Sequence, residues 1–300
     1  MNDIQTTGVW KSFGRFDAVR DLTLTVPEGS TFALIGANGA GKTTTIKLLM
    51  NIIQPTLGTA TVFGTDSRRM SPNQFTRIGY VSEGQEMPGR MSVMKYISYL
   101  RPFYPGWDRA LETDILAQLR LPAERTIKDL SHGMRLKMAL ACALPFRPKL
   151  LVLDEPFSGL DPLVRDEFMN GMLRHRGEKT VLISSHELAE IEELTTHVAF
   201  LDTGALLFQE ALSDLKARLR RVRVTMDTEA RVPPTIPTDW LDVHTEGSTL
   251  TFVDTRFSSD QIAARVAAAL GPVRKIDAEP IALRSIFTTL ARAVRDRRGG

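Results

Sequence analysis

Three hundred residues, 43% of them apolar and 24% charged, make an ordinary globular chain with room for one large or two modest domains. The single cysteine, Cys142, excludes a disulfide or a thiolate metal site within one chain, and it is expected to be a buried structural thiol. The net charge of +3 is uneven: 15 Lys/Arg stand against 10 Asp/Glu from residue 215 onward, and 23 against 25 before it. No aromatic-interleaved basic stripe accompanies that excess, so no nucleic-acid partner is expected.

The opening "MNDIQTTGVWKSF" lacks a basic segment followed by an apolar one, and no run of roughly 18 apolar residues occurs anywhere. The expectation is a chain that neither enters the secretory route nor spans a membrane. Up to about residue 80 it reads as strands and turns, with "LTLTV" at 22–26 and "TFALIG" at 31–36, followed by a helix carrying Ile46, Leu49, Met50 and Ile53 and ended by Gln54-Pro55. From 85 to 145 the patterning is helical. Uninterrupted apolar strands return at 149–154 and 180–185, a pattern of strands buried on both faces of a sheet.

Beyond residue 214 a second composition begins. "RVRVTMD" alternates, a hairpin is expected around Glu246-Gly247, and Ser258 with Gln261 reads as a capping box opening a helix that Gly271-Pro272 closes. A last helix presents Ile286, Phe287, Leu290 and Val294 on one face. The division predicted is 1–214, with a helical subdomain at 85–145, followed by a small α+β domain at 215–300.

Chemistry concentrates at the ends of the apolar strands. "GANGAGKTT" at 36–44 has the spacing of a phosphate-binding loop, in which glycines let backbone N–H groups close around an anion. Here Asn38, Gly39, Ala40, Gly41, Lys42 and Thr43 would hold the β-phosphate, with Lys42 bridging β and γ oxygens, Thr43 ligating Mg²⁺ and Thr44 adding a hydroxyl. Asp154, closing one strand, is placed to hold the metal or its waters, and Glu155 to act as general base toward water. His186, closing the next, can sense the γ-phosphate.

Together with "LSHGM" at 130–134, these elements resemble the nucleotide-binding subunits of ABC transporters, in the family's order, over residues 4 to 214. The resemblance implies a P-loop NTPase of the ABC type, an α/β fold with a mixed sheet and helical subdomain, extended by the small C-terminal α+β domain. It assigns Walker A to 36–44, Walker B to 150–155, the D-loop to "SGLD" at 158–161 and the switch histidine to His186. It makes Phe13 the aromatic that stacks on adenine, with Phe16 as the alternative. Ser131 and Gly133 become a second anion site at a helix start, which in this family faces the ATP held by the opposite chain of a homodimer. ATP and Mg²⁺ are the implied cofactors, and a separate integral membrane permease is the implied partner. The place of work is then peripheral, on the cytoplasmic face of the plasma membrane.

Two positions depart from the common pattern. Glu83 in "IGYVSE" stands where the family usually has Gln, and as a carboxylate it is a further candidate Mg²⁺ ligand. "LSHGM" replaces the commoner "LSGGQ", introducing His132 and Met134. Neither removes Lys42, Asp154 or Glu155, so ATP hydrolysis is expected. The tail resembles the C-terminal extension of exporter-type ATPases, which points to export. The alternatives are a soluble ABC-type ATPase acting on nucleic acid or ribosomes, and a weakly hydrolysing nucleotide-gated regulatory subunit.

Overall fold

The computed structural model describes the chain apart from residues 83, 175–178, 188–190 and 300, and the side chains of residues 173, 174, 291 and 294–299 are also outside the description. Val294 and Glu83, singled out above, therefore fall beyond it. In chain order the first elements are β1 (Asn2–Phe13), β2 (Phe16–Pro27), β3 (Thr31–Ile35), α1 (Lys42–Leu49), β4 (Leu57–Val62), β5 (Thr65–Asp66), α2 (Pro72–Phe75) and β6 (Ile78–Ser82). There follow α3 (Val93–Leu100), α4 (Arg109–Gln118), α5 (His132–Ala143), β7 (Leu150–Asp154), α6 (Pro162–Arg174), β8 (Thr180–Ser185), β9 (His197–Asp202) and β10 (Ala205–Ala211). The chain ends with α7 (Leu212–Arg218), β11 (Arg220–Thr225), β12 (Trp240–Glu246), β13 (Thr249–Asp254), α8 (Ile262–Leu270), β14 (Lys275–Pro280) and α9 (Leu283–Gly299).

Contacts divide it into two compact units, Met1–Gln209 and Glu210–Gly300, so the division falls within β10, ahead of the composition change at 214. In the first unit the apolar runs form β3, β7 and β8, every residue of which is buried. They lie inside a six-stranded sheet of order β10-β9-β3-β8-β7-β6. The pairings from β6 through β7, β8 and β3 to β9 are parallel. Register sets Ile35 beside Ser185 and Asp154 beside Ser184, which brings the carboxyl ends of β3, β7 and β8 to one edge. Open α/β sheets bind ligands at that edge.

A second, antiparallel sheet, β2-β1-β4-β5, carries the N-terminal hairpin. Ile4, Leu24, Val26, Phe32, Leu34, Ile46, Leu49 and Val152 join the two sheets and α1 in one apolar core. Helices α3 to α5 occupy the stretch expected to be helical, with Val93, Ile97, Ile115 and the run Leu136–Ala143 buried. Cys142 is among these, and burial pushes its thiol up to about 12, an inert group. Helix α1 ends at Leu49, short of the expected Ile53, because Asn51 takes a left-handed φ of 53° that no helix continues.

The second unit is a four-stranded antiparallel sheet, β12-β13-β11-β14, with α8 on its apolar face. Val222, Val224, Leu250, Phe252, Ile262 and Val266 fill that core, and the rings of Trp240 and Phe252 stack at 3.8 Å. The hairpin turns at Glu246–Gly247 as expected, with Glu246 paired to Thr249. The capping box does not form. Helix α8 starts at Ile262 with Gln261 as an N-cap that offers no side-chain bond. The Ser258 carbonyl instead accepts the N–H groups of Gln261 and Ile262 in a turn leading into the helix. On α9, Ile286 and Phe287 are buried as the periodicity requires.

Candidate nucleotide site

Two glycines of the loop between β3 and α1, Gly36 and Gly41, stand where nothing larger fits. A Cβ on Gly36 would lie 2.4 Å from the Leu201 carbonyl oxygen and 2.8 Å from the Ala40 Cβ. Gly41 has φ of 99°, and a Cβ there would meet the Ala18 carbonyl oxygen at 2.6 Å. The loop closes on itself through Ala40 N–H donating to Ala37 O at 3.0 Å. Among the described residues, no acceptor takes the backbone N–H groups of Asn38, Gly39, Gly41, Lys42, Thr43 or Thr44. A concave set of free amides at the start of a helix suits a polyphosphate.

Lys42 is buried at 5% exposure, and its Nζ donates to Gly36 O at 2.6 Å and Ala37 O at 3.1 Å while pairing with Glu155 Oε1 at 3.0 Å. Thr43 Oγ1 donates to Asp154 Oδ1 at 3.1 Å, and Ser184 Oγ donates to the same oxygen at 2.6 Å. Glu155, one residue further, leaves the strand with a left-handed φ of 49°, which sends its carboxylate to Lys42 and to His186 Nδ1 at 2.9 Å. Neighbouring carboxylates thereby face different partners. Burial raises Asp154 above the ordinary value, against the hydrogen bonds of Ser184 and Thr43 that lower it. Burial also pushes Glu155 upward, but hydrogen bonds and charge from His186 and Lys42 together outweigh it and hold Glu155 below its ordinary value. Glu155 is thus ionised at neutral pH, the state a base requires.

These groups open on a cleft of about 420 Å³ lined by loop residues 38–44, Glu155, His186, Phe16 and Ser158. Asp154 lies behind it at 4% exposure. Phe13 does not line the cleft; it ends β1, and Lys11 Nζ sits 4.8 Å from its ring centre. Its hairpin partner Phe16 begins the strand that carries Ala18 past Gly41, so the alternative aromatic is the one beside the loop. Sequence reasoning missed Ser184, and it named Ser158 only as the first residue of the D-loop segment, without a place in the cleft. The signal for Ser184 was a hydroxyl inside an otherwise apolar strand, legible only once β8 is known to neighbour β7.

Residues 19–158 match the ABC transporter family. The chain is 31% identical over 222 residues to the bacitracin transport ATP-binding protein BcrA of Enterococcus faecalis, spanning 73% of this chain and 72% of that one. The chain belongs to the ABC transporter family. It is 34% identical over 209 residues to the Nod factor export ATP-binding protein I of Rhizobium leguminosarum bv. viciae, with 67% of each chain covered. A solved ATP-binding subunit of an ABC transporter superposes with a TM-score of 0.65 at 25% identity, over 71% of this chain and 92% of that one. The chain is an ABC ATP-binding subunit and an ATPase, with an additional C-terminal unit.

The remaining ABC motif, residues 130–134, contributes no lining residue to the cleft. Ser131 caps α5, its Oγ accepting Met134 N–H at 3.3 Å, and the residue is exposed. A Cβ on Gly133 would lie 2.8 Å from Val164 Cγ1, so a larger residue there would require the Val164 side chain to shift. Ser131 and Gly133 do not line the cleft that holds Lys42. The structure brings Lys42, Thr43, Asp154, Glu155 and His186 together, and Ser131 and Gly133 are not part of that group.

Two expected results follow from this geometry. Phe16→Ala weakens ATP binding by about 1–2 kcal/mol, within the range for loss of one base-stacking ring, and Phe13→Ala has the smaller effect; titration with a fluorescent ATP analogue distinguishes them. On acidification Asp154, whose affinity for protons is raised, is protonated before Glu155, whose affinity is lowered. With Asp154 as the expected Mg²⁺ ligand, protons and Mg²⁺ would compete for it, and the acid limb of the ATPase pH profile would move to lower pH as Mg²⁺ is increased. A limb indifferent to Mg²⁺ assigns it to another group.

Proposed function

We propose that this ABC subunit works as a homodimer, each ATP clamped between the Lys42 loop of one chain and the Ser131 helix start of the other, and that the closing and opening of the pair drives export through a separate membrane permease. The observation that carries the reading is that Ser131, the capping hydroxyl at the start of α5 expected to face a phosphate, is not among the residues lining the Lys42 cleft of its own chain. One triphosphate can use both only when two copies meet. The name of one relative, Nod factor export, supports the outward direction. No helix among the described residues is long and apolar enough to cross a membrane; in this reading a separate chain provides the path for cargo, and the ATPase attaches peripherally to the cytoplasmic face of the plasma membrane.

Thr43 and Asp154 would hold Mg²⁺, with Glu83 as a further candidate. When bound, the ion neutralises charge on the β and γ oxygens and fixes the phosphate chain. Lys42 exchanges its carbonyl and Glu155 contacts for phosphate oxygens. That exchange releases one side of the Glu155 carboxylate to accept a proton from water, while His186, bonded to the other side, sets its direction. The partner's Ser131 hydroxyl and helix start close the γ-phosphate side. Loss of that phosphate removes the charge joining the chains, and differential affinity for the two states turns hydrolysis into motion. Exposed Tyr99 and Phe103, in edge contact at 5.4 Å on the helical subdomain, offer the permease an apolar docking face.

Complementation tests the clamp. Lys42→Ala and Ser131→Arg chains are each expected to be inactive. Mixed, they form a dimer with one intact composite site, and ATPase rises above the sum of the two separate preparations. A Ser131→Arg chain that hydrolyses ATP at the wild-type rate alone overturns the reading.

A further inference from the structure

His132, the residue that distinguishes "LSHGM", has no role in the clamp described above. It is the first residue of α5, and its Nε2 lies 3.3 Å from the Ser158 carbonyl oxygen, 26 residues away in sequence. For the ring to donate to that carbonyl, the proton must sit on Nε2. Ser158 in turn donates its N–H to Glu155 O at 3.3 Å and lines the Lys42 cleft. An unbroken run of contacts therefore joins Ser131 and His132 to Ser158 and on to Glu155.

The surroundings make this a stiff connection. The Gly133 position packs against Val164 and Leu160, with a notional Cβ 2.8 Å from the first and 3.5 Å from the second. Four residues along α5, buried Lys137 bonds Glu167 on α6. The loop 158–161 and the start of α6 are thus held to the start of α5 by a hydrogen bond, a close apolar contact and an ion pair. Of the three, only the His132 bond reaches a residue of the cleft.

We propose that His132 is a positioning residue that couples the two nucleotide sites of the dimer. This rests on the paired reading above: Ser131 serves the partner's ATP, and Glu155 serves the chain's own. Filling one site seats the Ser131 end of α5, and through His132 the carbonyl of Ser158 and the turn carrying Glu155 are set in the other. Coupling through a contiguous packed and hydrogen-bonded block of this kind needs a direct test of linkage rather than proximity alone.

The test compares full-length wild type, His132→Ala and His132→Gln for the Hill coefficient of ATPase against ATP concentration, with the dimer mass of each measured on a Glu155→Gln background in Mg-ATP. Glutamine can place an amide N–H near the Ser158 carbonyl and should keep the coupling. The expected result is a coefficient above one for wild type and His132→Gln and a clearly lower one for His132→Ala, with all three still dimerising. A His132→Ala protein that dimerises and keeps the wild-type coefficient overturns the coupling role alone, as does a wild-type coefficient of one. A Glu155→Gln protein that never dimerises overturns the paired reading and the coupling with it.

Discussion

Glu155→Gln lowers kcat by on the order of 10²–10⁴-fold, the range for loss of a positioned general base, while ATP still binds. The carboxamide keeps the shape that meets His186 Nδ1 and Lys42 Nζ at 2.9 and 3.0 Å, so the cleft stays formed. What disappears is a carboxylate held ionised by those two neighbours. An amide cannot take a proton from water. Steady-state ATPase together with nucleotide affinity checks this, and a variant retaining a tenth of wild-type kcat would move the base elsewhere.

Lys42→Ala acts at the other end of the same ion pair and removes binding rather than chemistry. The ammonium is the one fixed cation in the loop, buried at 5% exposure and held at its root by two carbonyls. Each charge-assisted bond to a phosphate oxygen contributes about 1.5–3 kcal/mol, and loss of two such bonds weakens ATP binding by roughly 100-fold or more, tenfold for each 1.4 kcal/mol. Calorimetric titration with ATP at saturating Mg²⁺ measures it. An affinity within threefold of wild type would exclude Lys42 as a phosphate ligand. The substitution also leaves Glu155 with His186 as its remaining ionic partner, so its acidity falls.

Local chemistry was legible in the sequence wherever it depends on chain neighbours. The loop 36–44 and the acids 154 and 155 are each continuous segments, and the apolar runs that became β7 and β8 needed only the absence of alternation to be read as strands buried on both faces. The hairpin at Glu246–Gly247 was readable for the same reason. Contacts across the fold were not. Ser184 reaches Asp154 because β8 lies beside β7, and His132 reaches Ser158 because α5 packs against α6 at Gly133 and Val164; neither adjacency is written in local spacing. Of the two aromatics offered for adenine, Phe16 and not Phe13 lines the cleft, although the two pair across the same two-residue turn, so local sequence could not tell which ring meets the loop. At Ser258 the local motif was present, but the chain made a turn first and entered the helix three residues late.

The central claim is that two anion sites separated on one chain serve one triphosphate between two chains. The most direct measurement is the solution mass of the Glu155→Gln protein by light scattering, with and without saturating Mg-ATP. The account predicts a monomer without nucleotide and twice that mass with it, reverting when Ser131→Arg is added. A mass that stays monomeric at saturating Mg-ATP, with binding confirmed in the same sample, would contradict it.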